Sequence, residues 1–461
     1  MRVAMWSGGV LVVALWGLIA WLTLSPPDLL RVGSNFTAKT VCSNVFVAGR
    51  DAGEVLANDV QAPGHPLLRL MRIDVDETAR SVTAGIFGFI ATGRADFRGA
   101  GFGCSSRPDS VDLPVLTPVE TPAMQPLPTD ALWPQGSDVS APQSDELDAV
   151  LNDMALIGPG MRAVVVVKDG RIIAERYGEG FDETTPLLGW SITKSVNAAI
   201  LGRAMKVTGM TLDAPITEAV FGTIATDDPR NAITLGDLMG MASDLAWNEG
   251  YGSVSDVTRM LYLEPDMAQF AAARGLDAET PEGVGEAFEY SSGTSVLISR
   301  VWQSAVGFGA DLTFPRAEFF NRLGMGSATL ETDETGNFIG GSYMYATARD
   351  WARFGLFMAQ RGVWNGRSLL PVGYVDWMAE PHPASNGRYG RGQVWLEAAN
   401  SWMDVEAADL PDGSFFMNGH DGQSINVVPS ENLVVVRLGL TPSSQQYQVA
   451  NLVDAVLNAL R

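Results

Sequence analysis

Two valine-rich hairpins, far apart in the chain, constrain the fold more than any other feature of the sequence. In the first, residues 162–177, runs of β-branched side chains flank Asp169-Gly170, a pair typical of tight hairpin turns. In the second, residues 425–438, similar runs flank Pro429-Ser-Glu-Asn432. The sequence between the hairpins has mostly helical patterns. We therefore predict an α+β fold in which both ends of one domain contribute strands to an antiparallel sheet, with flanking helices and a mostly helical inserted region.

This domain is assigned to residues 144–461. Ser144, followed by two acidic residues, predicts the start of a helix that runs to about Leu156, and an amphipathic helix from about Gln446 to Leu460 closes the chain. Before the domain, eight prolines fall within residues 108–143 and exclude regular structure there. The stretch is either a linker or a segment laid across the next domain, and its apolar side chains favour the second option: Leu113, Val115, Leu116, Leu127 and Trp133.

Residues 28–107 are predicted to form a small N-terminal unit. Val45-Phe46-Val47 predicts a short strand, and the alternation over 81–90 predicts another. Cys42 and Cys104 both fall in this unit, and in an exported protein an even pair predicts a disulfide. Its loop of about 60 residues would stabilise the fold by about 4 kcal/mol in the chain-entropy model. Two buried free thiols are the alternative, whereas two cysteines alone do not close a structural zinc site.

The N-terminal stretch Val3–Leu24 carries no charged side chain and is long enough to span a bilayer as a helix. Trp6 and Trp21 lie near its ends, where amphipathic rings prefer the membrane interface. Residues 1–27 are thus a membrane anchor or a signal peptide, and the lack of an A-x-A-like cleavage site favours the anchor. With Arg2 in front, the bulk of the chain is expected outside the cytoplasm, at the periplasmic face of the inner membrane in a Gram-negative cell.

The composition limits the partners of the protein. The net charge of the 461 residues is −22, so the surface as a whole repels nucleic acid and anionic lipid headgroups, and we expect no nucleic-acid partner. Hydrophobic residues make up 46% and charged residues 18% of the chain, values that are ordinary for a globular enzyme.

Ser191-Ile-Thr-Lys194 places a hydroxyl and an amine three residues apart, where a helix is predicted to begin. Residues at i and i+3 share one helical face, so Lys194 Nζ is expected to reach Ser191 Oγ. A serine hydroxyl becomes an effective nucleophile when an adjacent base takes its proton, and a desolvated lysine is such a base. The structural alternative is an N-cap serine followed by a solvated lysine, since short motifs of this kind also arise by chance.

Two further stretches add to this motif. Tyr290-Ser-Ser292 offers a phenol that relays protons between nucleophile and leaving group, and a hydroxyl that bonds Lys194 or the substrate. Gly419-His420-Asp-Gly422-Gln423 runs into the second hairpin. There, Gly422 allows close approach of a substrate, and a backbone N–H near Gln423 is suited to pair with that of Ser191 as an oxyanion hole. A core tyrosine and a structural histidine are the ordinary alternatives for Tyr290 and His420.

In the order S-x-x-K, Y-x-S and H-x-G at a terminal strand, the chain resembles the serine β-lactamase and penicillin-binding-protein superfamily. Within it, the chain is most similar to the class C-like serine hydrolases, which include esterases, D-amino-acid peptidases and 6-aminohexanoate-dimer hydrolases. The similarity extends from about Ala163 to Arg461. It includes the stretches Ile233-Thr-Leu-Gly-Asp-Leu-Met239 and Ala346-Thr-Ala-Arg-Asp-Trp-Ala-Arg-Phe-Gly355.

The resemblance implies a β-lactamase/transpeptidase-like fold and a residue for each catalytic role. Ser191 would be the acylated nucleophile and Lys194 its proton acceptor, and Tyr290 would serve the acid/base relay. The N–H groups of Ser191 and Gln423 would form the oxyanion hole. No metal and no organic cofactor is implied.

Two departures from the family pattern bear on the substrate. Ser292 stands where β-lactamases usually have asparagine, and His420 stands where they have the lysine of K-T-G. A lysine offers a permanent cation to a substrate carboxylate, whereas an imidazole is mostly neutral at pH 7. The sequence therefore favours an ester or amide substrate over a penicillin.

The prediction is a membrane-anchored serine hydrolase that acts on a small ester or amide. The alternatives are a penicillin-hydrolysing or D,D-peptidase enzyme, and a non-catalytic module that binds peptidoglycan or a protein on the same fold. A Ser-His-Asp triad built on His420 is disfavoured because it leaves Lys194 without a role and because no G-x-S-x-G surrounds Ser191. The sequence does not specify the oligomeric state.

Overall fold

The computed structural model of the chain describes residue 14 and residues 16–108, 127–139, 144–277, 283–307, 309–398 and 408–461. The helices in these ranges are numbered in chain order: α1 (16–24), α2 (Asp28–Phe46), α3 (Ala52–Val55), α4 (Asp145–Asn152), α5 (Met154–Ile157), α6 (Ile192–Thr208), α7 (Thr217–Val220), α8 (Leu235–Met239), α9 (Asp256–Leu263), α10 (Met267–Ala272), α11 (Ser292–Val306), α12 (Asn321–Leu323), α13 (Ala348–Ala359), α14 (Tyr374–Met378) and α15 (Val449–Ala459).

The strands are numbered in the same way: β1 (Met71–Asp76), β2 (Ser81–Ile86), β3 (Ile90–Phe97), β4 (Cys104–Ser106), β5 (Met161–Lys168), β6 (Arg171–Tyr177), β7 (Leu187–Leu188), β8 (Thr329–Leu330), β9 (Met344–Ala346), β10 (Val363–Trp364), β11 (Arg367–Ser368), β12 (Phe415–Gly419), β13 (Gln423–Val428) and β14 (Leu433–Gly439). Short 3-10 turns include Pro66–Leu70, Pro383–Ser385 and His420–Gly422.

The chain forms two compact units. Unit 1 holds residues 1–116 together with 248–266 and 333–335, and unit 2 holds the rest. The sequence analysis placed these two short segments in the hydrolase domain, so the observed division is less simple than a cut between residues 107 and 144. Sequence patterns do not reveal it because it depends on tertiary packing.

Unit 2 is built on a five-stranded antiparallel sheet in the order β12-β13-β14-β5-β6. Its strands come from residues 161–177 and 415–439, so the predicted sheet from both ends of the domain is confirmed. Asp169 and Gly170 both have positive φ (49° and 78°), as a tight hairpin turn requires.

Helices cover both faces of this sheet. On one face, buried side chains of β5 and β14 pack with α4 and α15, among them Val166, Val435 and Leu452. On the other face α13 packs closely, since a Cβ on its Gly355 would lie 2.6 Å from a methyl of Val434. The sheet thus provides a rigid core, and its edge strand β12 is the strand that leads into the His420–Gly422 turn.

Unit 1 packs α2 against the four-stranded antiparallel sheet β1-β2-β3-β4. The predicted disulfide is present: Cys42 in α2 is bonded to Cys104 in β4, with a Cα–Cα distance of 6.1 Å. The predicted strand at 45–47 is wrong, because residues 45 and 46 end α2. A short apolar run does not distinguish a strand from a buried helix by itself. The predicted strand at 81–90 is divided by a turn between β2 and β3.

Helix α9 belongs to unit 1 although it is distant from it in sequence. The ring of its Tyr262 packs edge-on against Phe36 of α2 with centroids 5.7 Å apart, and Arg259 is ion-paired with Asp28 at 2.5 Å. In the segment 333–335, the Asp333 carbonyl accepts a hydrogen bond from Ser105 Oγ at 3.2 Å.

Residues 127–139 lie on unit 2, as the predicted surface-laid segment requires. Trp133 is buried, and the Arg353 guanidinium lies 5.6 Å from its ring centroid. The same guanidinium donates to the carbonyls of Pro134 and Gly136 at 3.1 and 2.9 Å. Residues 109–126 and 140–143 of the proline-rich stretch lie outside the described residues.

Most of the predicted membrane anchor, residues 1–13 and Leu15, also lies outside the described residues. Where the chain is described, no helix combines the length and the apolar character that a bilayer span requires.

Candidate active site

Ser191 lies at the start of α6, directly after a strained residue. Trp190 has φ of 48°, a left-handed conformation that bulky residues rarely adopt. Gly189 precedes it, and a Cβ there would lie 2.5 Å from the Trp351 ring, so only glycine fits. Ser191 stands at the N-cap position without a side-chain capping bond. Ser191 Oγ therefore makes no hydrogen bond to its own helix start, in contrast to the capping alternative.

Lys194 is 1% exposed and lies one turn into the same helix. Its Nζ donates to Ser191 Oγ at 3.2 Å, to Ser292 Oγ at 2.9 Å and to the Gly341 carbonyl at 2.8 Å. An ammonium has three donors, and these three acceptors match them. The alternative of a solvated lysine is thus excluded, and the amine is held against the serine hydroxyl.

The start of α11 supplies the second motif. Ser291 caps this helix, with its Oγ accepting from the Thr294 N–H at 3.0 Å. Ser292 follows, fully buried, and presents its hydroxyl to Lys194. The ring of Tyr290 lies with its centroid 4.8 Å from Lys194 Nζ, a cation–π distance. Two helix starts, α6 and α11, therefore bring Ser191, Lys194, Ser292 and Tyr290 together.

The Gly341 carbonyl is a contributor that the sequence analysis missed. The turn before β9 that carries it packs tightly, since a Cβ on Gly341 would lie 2.9 Å from the Ser292 carbonyl. Behind the turn, Asn197 Oδ1 accepts from Ser299 Oγ at 3.1 Å and from Trp302 Nε1 at 2.9 Å. These buried bonds fix α6 against α11, and with them the position of Lys194.

Gln393 is a second buried residue that the sequence analysis missed. Its carbonyl accepts from Ser195 Oγ at 2.6 Å, and its Oε1 accepts from Ser295 Oγ at 2.8 Å. Its Nε2 donates to the carbonyls of Leu238 and Met239 at 3.1 and 2.9 Å. The backbone carbonyl and the side chain of this one residue thus tie α6, α8 and α11 together, and a lone glutamine in a loop gives no sequence signal for that role.

Aromatic rings line the side of the site that Tyr290 occupies. Its ring lies 5.2 Å from the Trp395 ring and 6.0 Å from the Tyr389 ring, between centroids. Burial, with a smaller effect of the neighbouring Tyr290, raises the pKa of Tyr389 well above its ordinary value. Tyr389 therefore stays neutral and supports Tyr290 through packing, while Tyr290 and Trp395 remain partly exposed.

The third motif lies beside the nucleophile segment. Gly419 ends the edge strand β12 so close to the Gly189 carbonyl that a Cβ would not fit. The His420 ring packs edge-on against Trp190 with centroids 5.7 Å apart, and its side chain is 45% exposed. Its Nε2 lies 3.4 Å from Asp421 Oδ1. An imidazole paired with a carboxylate therefore occupies the place at which the family resemblance expects a lysine.

Gly422 ends the His420–Gly422 turn, and Gln423 is the first residue of β13. The Gln423 side chain is buried, donates to the His420 carbonyl at 3.1 Å, and accepts from the Gly439 N–H at 2.8 Å. The Gly422 carbonyl accepts from the buried Arg437 guanidinium at 3.0 Å. These bonds fix the backbone of the turn, and the catalytic roles of its N–H groups stay predictions.

The arrangement contains a serine hydroxyl, a buried amine in contact with it, a phenol beside that amine, and a hydrogen-bonded turn next to the helix start. These are the parts of an acyl-transfer site. In the described part of the chain, no group of three or more His, Cys, Asp or Glu side chains is placed to hold a metal ion.

Comparisons with known proteins identify the family and the fold. The family model described as Beta-lactamase matches residues 155–457. An uncharacterised protein of Alkalihalophilus pseudofirmus is 30% identical over 98 residues, which are 20% of this chain and 29% of that protein. The match thus spans less than a third of that relative's length.

Solved structures share the fold at low identity. A protein assigned as a 6-aminohexanoate-dimer hydrolase from Bacillus anthracis superposes with a TM-score of 0.55 at 20% identity, covering 73% of this chain and 88% of that chain. An assigned β-lactamase from Bacteroides dorei gives 0.51 at 19%, covering 69% and 99%. FmtA from Staphylococcus aureus gives 0.51 at 13%, covering 74% and 92%.

The resemblance to the serine β-lactamase and penicillin-binding-protein superfamily is therefore confirmed over the C-terminal two thirds of the sequence. The chain belongs to the beta-lactamase family.

Proposed function

We propose that the protein is a serine hydrolase that cleaves an ester or amide bond through an acyl-enzyme on Ser191. The observation that carries the proposal is the buried Lys194 amine nitrogen, which lies 3.2 Å from Ser191 Oγ, where the serine does not cap its helix. A buried lysine aimed at an uncapped serine has no evident value for stability, because burial of a charge is costly. Membership in the family supports a hydrolase in general.

In the proposed mechanism, Lys194 in its neutral form accepts the proton of Ser191 as Oγ attacks the substrate carbonyl carbon. The N–H groups of Ser191 and Gln423 stabilise the oxyanion. Collapse of the tetrahedral intermediate breaks the ester or amide bond, and Tyr290 passes the proton to the leaving alcohol or amine. Water then attacks the acyl-enzyme by the reverse route and releases the acid. Ser292 and Gly341 hold Lys194 in place throughout.

The third motif supports a substrate without a carboxylate. Asp421 Oδ1 lies 3.4 Å from His420 Nε2, so the pair carries no net positive charge even when the imidazole is protonated. A substrate carboxylate would lack a charge-assisted hydrogen bond, which is worth roughly 1.5–3 kcal/mol, or about 10- to 100-fold in affinity. The partly exposed rings of Trp190, Tyr290 and Trp395 provide apolar surface for a neutral acyl group.

Covalent labelling tests the enzyme proposal. A fluorophosphonate probe should label the full chain, and Ser191→Ala should abolish the label. Ser291→Ala is the matched control, since it removes a serine at another helix start and should leave labelling intact. A chain that neither labels nor turns over any simple ester would support the non-catalytic binding module instead.

A substrate panel tests the chemical class. We expect turnover of short p-nitrophenyl esters and little hydrolysis of nitrocefin. D-Ala-D-Ala peptides and linear amide oligomers are assayed at the same concentration for comparison. The variant His420→Lys should raise kcat/KM for nitrocefin by about tenfold without raising it for the neutral esters, because nitrocefin carries a carboxylate and the esters do not. The matched control is His420→Gln. Rapid hydrolysis of nitrocefin by the unmodified protein would overturn the preference for neutral substrates.

We also propose that the hydrolase acts outside the cytoplasm. The bonded pair Cys42–Cys104 supports this location, because structural disulfides persist in oxidising compartments. The uncharged sequence of residues 3–24 supports the same location, because a signal peptide and a membrane anchor would both direct the chain out of the cytoplasm. Fractionation of cells that express the full chain, with non-reducing electrophoresis of the recovered protein, tests the location and the bond together.

A further inference from the structure

The turn between β2 and β3 of unit 1 exposes two aromatic rings. Phe87 and Phe89 are each 55% exposed, on either side of Gly88. Their neighbours Ile86 and Ile90 are buried in a small apolar cluster with residues such as Leu68 and Met71. A single exposed apolar residue is ordinary, but two phenylalanines at the tip of one turn form a solvent-exposed apolar patch.

The backbone at this tip is strained without benefit to packing. Phe87 has φ of 53°, and Gly88 follows with 88°. Asparagine, aspartate or glycine usually occupies such a left-handed position, whereas a phenylalanine there is an outlier. Because the Phe87 ring is mostly exposed, contacts within the fold do not offset the strain. A phenylalanine with a positive φ that gains no packing within the fold points to a role in binding.

A second set of exposed apolar side chains lies at the same end of unit 1. Leu22 of α1 packs against the cluster that contains Ile86 and Ile90, so α1 and the tip are close to each other. The other apolar side chains of α1 include several that face away from that cluster, with exposures from 48% to 85%: Trp16, Leu18, Trp21 and Leu24. Tryptophan is the residue that prefers the boundary between water and lipid.

The charge at this end of unit 1 has the opposite sign to the charge of the whole chain. Residues 60–73 and 81–95 contain no acidic side chain, although the chain has a net charge of −22. They do contain Arg69 and Arg72, both exposed, and Arg72 packs beside Gly88 at the tip. At the other end of the same sheet, Asp76 ends β1 and the β1–β2 turn carries Glu77 and Arg80.

We propose that the β2–β3 tip and the exposed face of α1 form a membrane-contact surface that inserts Phe87 and Phe89 among the headgroups of an anionic bilayer. Aromatic side chains that enter the interface, ringed by arginines that meet lipid phosphates, are the chemistry of such surfaces. The proposal does not depend on a transmembrane helix, nor on the catalytic activity of Ser191.

A fluorescent probe at the tip tests the proposal on the full chain. The sequence has two cysteines, and both are in the disulfide, so Phe89→Cys adds one labelling site for an environment-sensitive dye such as NBD. The matched control is Ala79→Cys in the β1–β2 turn, at the other end of the same sheet. On vesicles of phosphatidylcholine and phosphatidylglycerol in equal parts, emission from position 89 should shift to the blue and be quenched by doxyl-labelled lipid, while emission from position 79 stays unchanged.

Three outcomes would overturn the proposal. One is that the dye at position 89 emits as it does in water although the protein is bound to the vesicles. The surface would then bind a protein partner and not lipid. Another is an equal shift on pure phosphatidylcholine vesicles, which would exclude the role of charge. The third is an equal shift at position 79, which would show contact unrelated to the tip.

Two variants separate the contributions of charge and insertion. Replacing Arg69 and Arg72 by glutamine should weaken binding to the anionic vesicles. The lipid concentration that gives half of the emission shift should rise by about fivefold for each arginine replaced. Phe87→Asn should reduce insertion of the tip while it keeps or raises the Tm, because asparagine tolerates the left-handed backbone. If Phe87→Asn instead lowers the Tm, the phenylalanine serves the fold and the inference fails.

Discussion

Helices α6 and α11 both begin beside a serine, yet the two serines do different work. At the start of α11, Ser291 accepts a hydrogen bond from the Thr294 N–H and so caps the helix. At the start of α6, Ser191 makes no capping bond and is contacted by Lys194 instead. A helix normally gains stability from a capping serine, so α6 forgoes at its start a contribution that α11 keeps. A serine available for a role beyond its helix can thus be recognised by the capping bond that it does not make.

The largest effect should come from Ser191→Ala. We expect the rate of ester hydrolysis to fall by about 1,000-fold or more, since the nucleophile is lost. The free energy of unfolding should change by less than about 0.5 kcal/mol, since no capping bond is lost. Steady-state kinetics and urea unfolding on the same preparation measure both quantities. A clear loss of stability would mean that Ser191 caps α6 in solution, and the contrast with Ser291 would disappear.

The next largest effect should come from Lys194→Met, which removes the base but keeps most of the side-chain volume. We expect kcat to fall by about 100- to 10,000-fold. Stability should also fall, because the Ser292 hydroxyl and the Gly341 carbonyl each lose the hydrogen bond that Lys194 donates, at about 1 kcal/mol for each bond. Lys206→Met on the same helix is the control, because its partly exposed amine bonds the carbonyls of Ser368 and Leu370 away from the site. Equal activity losses in both variants would count against Lys194 as the base.

Ser292→Ala should have a moderate effect that separates positioning from chemistry. Lys194 would lose one of three acceptors but keep its contact with Ser191, so we expect kcat to fall by about tenfold while the fluorophosphonate label still forms. Ser292→Thr keeps the hydroxyl and should recover part of the activity. If Ser292→Ala is as inactive as Ser191→Ala, then the hydroxyl of Ser292 takes a direct part in proton transfer.

The smallest effect should come from Ser291→Ala. Loss of the cap on α11 should lower the free energy of unfolding by about 1 kcal/mol, and Ser291→Asp should restore it. The rate of ester hydrolysis should remain within about twofold of the unmodified protein, because Ser291 contacts its own helix. Denaturant unfolding with parallel rate measurements checks this expectation. An activity loss without a stability loss would show that the two helix starts are not as different as their hydrogen bonds suggest.

The sequence predicts those features that depend on neighbours in the chain. The turn at Asp169-Gly170, the capping role of Ser144 and the shared helical face of Ser191 and Lys194 follow from local periodicity and turn chemistry, and the structure has all three. The disulfide follows from the number of cysteines and the expected compartment. Its partners lie 62 residues apart in sequence, but only one pairing was available.

The remaining features depend on tertiary packing and leave no pattern in the sequence. Gly341 lies 147 positions after Lys194 in the sequence, and its contribution is a backbone carbonyl, which any residue type has. Gln393 ties three helices together from a loop. At 45–47, the apolar run favours a strand by composition, but α2 extends through residues 45 and 46, because tertiary context overrides weak local preferences.

The contribution of α9 to unit 1 limits where this protein can be divided. Its Val257, Met260 and Leu261 are fully buried, and its Tyr262 packs on Phe36. An expression product that starts at residue 144 would carry α9 without α2, so those side chains would meet water and invite aggregation. The hydrolase region therefore cannot be excised cleanly.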